Sequence, residues 1–87
     1  MNGTPTNPGL RQHGSGPYVI RVQGEVERHW ALELRMHLDY AQTEQGTVSI
    51  FSGELPDQAA LLGALQWLNM WGYVILTVEY APDRVTG

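Results

Sequence analysis

Residues 57–80 decide the fold, and they read DQAALLGALQWLNMW, then glycine, then YVILTVEY. Asp57 follows a proline and suits the N-cap of a helix, because its carboxylate can accept hydrogen bonds from the free amides of the first turn. Residues 59–71 include no proline and no β-branched side chain, and most of them are good helix formers. Gly72 suits the position after a helix, where a left-handed backbone costs little. The stretch therefore predicts a long helix followed by a strand.

The predicted helix is apolar over more of its circumference than a small sheet can cover. At 100° per residue, Leu61, Leu65 and Leu68 share the stripe that we expect to face the core, with Leu62 on its flank. A second apolar stripe lies about 80–100° further round the helix. It consists of Ala60, Ala64, Trp67 and Trp71. Either another part of the chain covers this stripe, for example Trp30 of a short helix, or it faces a partner.

Three strands and a short helix are predicted upstream of the long helix. Residues 18–24 (YVIRVQG) form a strand that ends at a glycine, and residues 25–33 (EVERHWALE) form a short helix. Residues 34–42 and 47–53 each alternate apolar and polar side chains across a polar turn, which is typical of a hairpin. In the first of these strands the predicted inward residues are Leu34, Met36, Leu38 and Tyr40.

The same alternation assigns faces to the last two strands. In the second hairpin strand, Val48 and Ile50 are predicted to point inward and Phe51 outward. In the final strand, residues 73–80, the even positions are expected under the helix: Val74, Leu76, Val78 and Tyr80. The odd positions are expected on the other face: Tyr73, Ile75, Thr77 and Glu79.

The predicted fold class is α+β, because strands and helices follow one another as βαββαβ. This order matches a ferredoxin-like split βαββαβ plan with a short first helix, a four-stranded antiparallel sheet and both helices on one face. The first connection has only about nine or ten residues, fewer than a crossover between parallel strands usually needs. If the short helix does not form, the alternative is a βββαβ meander with one helix.

Domain organisation follows from composition. Residues 1–17 are rich in glycine and proline and predict a flexible leader. Residues 18–80 form a single domain, and residues 81–87 form a C-terminal tail.

Composition excludes several function classes. The chain has 87 residues and no cysteine, which excludes disulfides, thiolate metal sites and thiol catalysis. Its net charge is −4, and its five basic residues are scattered arginines, which argues against nucleic acid and against an anionic membrane as partners. No apolar run approaches the length of a membrane span, and the N-terminus lacks a signal-peptide pattern. The expected location is the cytoplasm.

Several short motifs resemble those of a group of small uncharacterised bacterial proteins. They are VQG at 22–24, Trp30, PDQAAL at 56–61, Gly63, Gly72 and the closing Leu76-x-Val78-Glu79. The resemblance covers about residues 18–80 and implies the fold but no activity. The group carries a histidine, arginines and an acidic residue on the outer side of the long helix, and an aromatic residue at the position of Glu33. This chain has Leu62, Trp67, Asn69 and Met70 on that outer side, which implies a partner specific to this member.

The sequence predicts no catalytic residue and no cofactor. Ser49 and Ser52 lie in or beside a strand without a glycine elbow, so neither is marked as a nucleophile. His37 and Asp39 share a strand face at i, i+2 and are weak candidates for a metal site, but a solvated polar strip beside Arg21 and Arg35 is the favoured interpretation.

The favoured hypothesis is a non-enzymatic interaction or regulatory module, most simply a homodimer, joined through the helix face or through sheet edges and the open face. The candidate interface residues are Leu62, Trp67, Met70, Trp71, Phe51, Tyr73 and Ile75. An alternative is a sensor of ACT-like plan that binds an amino acid or another carboxylate at Gly53, Glu54 and Asp57, beside a helix N-terminus. A further alternative is an enzyme whose active site is assembled between subunits.

Overall fold

The computed structural model describes residues 15–82. Its elements in chain order are β1 (Gly16–Gln23), α1 (Arg28–Leu34), β2 (His37–Thr43), β3 (Gly46–Leu55), α2 (Gln58–Met70) and β4 (Ile75–Tyr80). The first strand begins two residues before its predicted start. The rest of the predicted leader, residues 1–14, and residues 83–87 of the predicted tail lie outside the described part of the chain.

The four strands form one antiparallel sheet in the order β2-β3-β1-β4. The α+β class is therefore confirmed. The alternative meander is wrong, because in the sheet β3 lies between β1 and β2. In addition, the short helix does form along the chain between β1 and β2. The connection between β1 and β2 runs from 24 to 36, longer than predicted, because α1 ends at Leu34 and β2 begins only at His37.

The core lies between one face of the sheet and the two helices. The sheet contributes Tyr18, Ile20, Val22, Leu38, Phe51 and Leu55, and the helices contribute Ala31, Leu34, Ala64 and Leu68. Leu34, Met36 and Leu38 are buried and Tyr40 is half-buried against them, as predicted. Their predicted place in one strand is wrong for Leu34 and Met36, because Leu34 ends α1 and Met36 precedes β2. Both helices of the described part of the chain pack on this one face of the sheet.

The predicted orientation of β3 is wrong. Phe51 is opposite Ile20 of β1 and Leu38 of β2, and residues opposite each other in a sheet share a face. Phe51 is therefore in the core with 0% exposure, while Ile50 is half-buried on the other face. Ser49 is the neighbouring inward residue of β3, and because it is polar the strand does not show a regular alternation of inward apolar residues. An error of one residue in the assumed alternation then assigns every side chain of the strand to the wrong face.

The predicted orientation of β4 is wrong over its first half. The pairing of β4 with β1 shifts between Arg21 and Val22: Arg21 is opposite Thr77, but Val22 is opposite Ile75. This bulge inserts one extra residue, Leu76, and such an insertion reverses the face of the residues before it. Tyr73 and Ile75 consequently pack against the core, whereas Val74 and Leu76 are exposed.

Both ends of α2 agree with the sequence prediction. Oδ1 of Asp57 accepts a hydrogen bond from the amide of Ala60 at 2.8 Å. At the other end Gly72 has a φ of 90°, its amide donates to the Asn69 carbonyl at 3.0 Å, and the amide of Tyr73 donates to Leu68 at 3.1 Å. This is a Schellman motif.

The N-terminus of α1 differs from the prediction, because α1 begins at Arg28 rather than at 25. Residues 25–27 stay non-helical, and the amide of Val26 donates to Oγ of Ser49 at 2.8 Å. That contact with β3 holds the chain away from a helical turn.

Candidate interaction surface

An aromatic stack joins the two helices. The rings of Trp30 in α1 and Trp71 after α2 are stacked with centroids 4.0 Å apart. The ring centroid of Trp67 lies 5.4 Å from that of Trp71, and the ring centroid of His29 lies 4.2 Å from that of Trp30. Of the two possibilities left open by the sequence, internal packing against Trp30 therefore holds for Trp71. Trp67, at the end of the stack, remains 44% exposed.

Large apolar side chains are exposed mainly on α2 and around β4. They are Leu32, Leu62, Trp67, Met70, Val74, Leu76 and Val78. Three of the predicted interface residues, Leu62, Trp67 and Met70, are thus accessible. Phe51 is fully buried, and Tyr73 and Ile75 are partly buried against the core. The sequence prediction missed Val74 and Leu76, because alternation alone does not reveal the bulge. Val78 lies on the predicted helix face, but the helices do not cover it fully.

A groove of about 430 Å³ lies between the end of α1, the end of β3 and the first half of α2. Its apolar lining includes Ala60, Ala64 and Trp67, and its ionisable residues are Glu33, Arg35 and Glu54. Two carboxylates against one guanidinium do not favour an anionic ligand. The groove is therefore a poor match for the carboxylate that the sensor hypothesis requires.

The three predicted ligand-binding residues have separate roles in the structure. Glu54 lines the groove. The carboxylate of Asp57 caps α2 and so already occupies the helix N-terminus that was expected to hold a ligand. At Gly53, a Cβ atom would come within 3.6 Å of the Met36 backbone, so this position packs closely against the chain that leads into β2.

The open face of the sheet carries one ion pair and one pair of neighbouring polar side chains. Nη1 of Arg21 lies 2.6 Å from Oε1 of Glu79 across the β1–β4 pair. Nε2 of His37 lies 3.1 Å from Oδ2 of Asp39, so these two weak metal candidates are adjacent and exposed. Within residues 15–82, however, no three acidic or histidine side chains come together as a metal site would need.

The two edges of the sheet differ. At the β2 edge, Nη1 of Arg28 donates to the Leu38 carbonyl at 3.1 Å, and the Tyr40 hydroxyl donates to the Val26 carbonyl. The start of α1 and the residues before it therefore cover this edge. In the described part of the chain, β4 pairs only with β1, and its other edge carries the exposed Leu76 and Val78.

The chain belongs to a family defined by a domain of unknown function (DUF8691), which matches residues 17–79. The match agrees with the predicted membership of an uncharacterised family. No curated protein and no solved structure matches the chain. Among residues 15–82, neither helix has the length and apolar character needed to cross a membrane.

Proposed function

We propose that this chain is a protein-interaction module that acts as a homo-oligomer, most simply a dimer. The observation that carries the proposal is the set of exposed apolar side chains on α2 and around β4. Monomeric soluble proteins rarely leave large apolar patches in water, and such surfaces usually mark interaction sites. Burying one such aliphatic side chain fully contributes about 1.5–3 kcal/mol, so even partial burial of several would support association.

The distribution of charge favours a second copy as the partner. Although the net charge is −4, no residue between Asp57 and Glu79 is charged, and this stretch includes all of α2 and most of β4. Two copies can therefore approach through this surface without placing like charges against each other. Glu79, at the end of this stretch, is paired with Arg21 on the open face of the sheet.

The test is the mass in solution, measured by light scattering over a series of protein concentrations. We expect the wild-type chain to have the mass of a dimer that dissociates on dilution. A mass equal to one chain at every concentration would contradict the proposal.

A matched pair of variants locates the surface. The double variant Leu62→Gln with Met70→Gln keeps helix-forming residues on α2 and removes apolar area, so we expect weaker association with an unchanged circular dichroism spectrum. The control is Leu32→Gln, which removes an even more exposed leucine from α1 and should leave the mass unchanged. Dissociation by the control alone would place the interface on α1 and contradict the assignment.

A further inference from the structure

We propose that the groove between α1, β3 and α2 binds an organic cation, an ammonium, amidinium or guanidinium group carried on an apolar body. The site lies within one chain, so the proposal does not depend on the homo-oligomer. The groove has a volume of about 430 Å³, which is in the range of small-molecule sites. Its lining combines an aromatic ring, carboxylates without partners and an open floor, and together these favour such a ligand.

The aromatic wall of the groove is the indole of Trp67, which is held in place before any ligand binds. Its ring centroid lies 5.4 Å from that of Trp71, and Trp71 is stacked on Trp30 at 4.0 Å. Trp67 is nevertheless 44% exposed and lines the groove. Tryptophan is the aromatic side chain that attracts a cation most strongly, and a ring already fixed by packing loses little freedom on binding.

Two carboxylates line the groove, Glu33 from α1 and Glu54 from β3. Within residues 15–82 neither side chain forms a hydrogen bond or an ion pair, and Arg35, the third ionisable lining residue, is paired with neither of them. Two negative charges against one positive charge, in a chain of net charge −4, favour a cation. A metal ion is a poorer match, because in the described part of the chain no three acidic or histidine side chains come together.

The floor of the groove includes Gly63, a glycine in the middle of α2. Glycine is unfavourable inside a helix. Gly63 does not have a positive φ, and a Cβ atom added there would meet no atom within 4 Å beyond the local helix backbone. Neither backbone conformation nor close packing therefore requires a glycine at this position. With Ala60 and Ala64, it keeps the lining beside Trp67 small and the groove open.

Benzamidine, benzamide and benzoate are matched probes, because they share one aromatic ring and are a cation, a neutral molecule and an anion. Binding is followed by the indole N–H signals of the three tryptophans in NMR spectra, with Trp67→Phe to identify the Trp67 signal. We expect benzamidine to shift the Trp67 signal to saturation and benzamide to bind roughly fivefold or more weakly. Equal binding of the two, preferential binding of benzoate, or no saturable shift with benzamidine would each overturn the proposal.

Isosteric variants test the charges of the groove. Glu33→Gln and Glu54→Gln should each raise the Kd of benzamidine roughly two- to fivefold, as for an exposed ion pair, and Arg35→Gln should lower it by a similar factor. The control is Glu44→Gln, which removes the same charge in the β2–β3 turn, at the opposite end of β3 from the groove, and should leave Kd unchanged. An equal loss in all three glutamate variants would mean that net charge alone attracts benzamidine, and would overturn the site.

A variant that fills the groove tests its location. Gly63→Leu has space for its side chain, and leucine is a better helix former than glycine, so we expect a folded protein with a Tm at or above that of the wild type. Its affinity for benzamidine should fall roughly tenfold or more, because the leucine blocks the space beside Trp67. The control is Ala59→Leu, at an exposed position of α2 outside the groove, which should bind as the wild type does. Wild-type affinity in a folded Gly63→Leu variant would overturn the proposal, and if that variant does not fold, the charge variants decide.

Discussion

At the residue scale, Ser49 shows how a polar side chain can be structural. It is fully buried in the sheet, its Oγ accepts from the Val26 amide at 2.8 Å, and its hydroxyl donates to the Gly24 carbonyl at 2.6 Å. Ser49→Ala leaves both backbone groups without a partner, so we expect a loss of about 1–3 kcal/mol in the free energy of unfolding. Urea denaturation measures this loss. Ser52→Ala, on the half-exposed side of β3, is the control and should change stability by less than about 0.5 kcal/mol.

The role of Ser49 could not be predicted from the sequence. The residue was considered only as a nucleophile and rejected, because local sequence gave it no catalytic context. Its partners lie more than twenty positions away in the connection after β1, and only the β1–β3 register brings them together. Without the β1–β3 register, the sequence prediction also assigned Phe51 to the wrong face of β3.

A second residue-scale prediction concerns Tyr18 and alkaline pH. Burial disfavours the phenolate, and the nearby Tyr80 phenolate would repel it, so the pKa of Tyr18 is raised above its usual value of 10.0. Because the fold favours the neutral form, this contribution to stability is complete below pH 10 and is lost as the pH rises through the folded-state pKa. We expect Tyr18→Phe to lose stability less steeply than the wild type above pH 10, measured by urea denaturation at successive pH values. Parallel slopes for the two proteins would contradict this.

At the element scale, α2 is the part of the fold most fully determined by local sequence. We expect Asp57→Ala to lower the free energy of unfolding by about 1 kcal/mol, because the amide of Ala60 loses its acceptor. Asp57→Asn is the control, since its side-chain oxygen can still accept that bond. Thermal unfolding monitored by circular dichroism measures both, and an equal loss in the two variants would indicate that the charge matters rather than the cap.

The other elements show where local reasoning fails. The ends of α2 were predicted because a capping aspartate and a C-terminal glycine act within a single turn of the chain. The start of α1 was not, since Ser49 of a distant strand holds the residues before it. The faces of β4 depend on a bulge opposite Arg21 and Val22, and no residue of β4 signals that bulge. Fold class was therefore predictable, while the identity of the exposed β4 residues was not.

At the scale of the whole molecule, the candidate surface combines a predictable part and an unpredictable part. The exposed apolar side of α2, with Leu62, Trp67 and Met70, was visible from helical periodicity. The asymmetry between the two sheet edges was not, because it depends on Arg28 reaching the Leu38 carbonyl across the start of α1. Residues 58–78, which include all of α2 and most of β4, carry no charged side chain, and this too is readable from the sequence.

This surface predicts that stability depends on protein concentration. If only folded chains associate, a higher concentration favours the folded dimer by mass action. For a small domain we expect Tm to rise by roughly 3–6 °C for each tenfold increase in concentration. High salt should have little effect on the dimer, because α2 carries no charged residue and screening has little to weaken there. The double variant Leu62→Gln with Met70→Gln should show a smaller change of Tm with concentration. A wild-type Tm that does not change with concentration would indicate that no second copy binds. A dimer that dissociates in high salt would indicate that charged groups elsewhere hold it together.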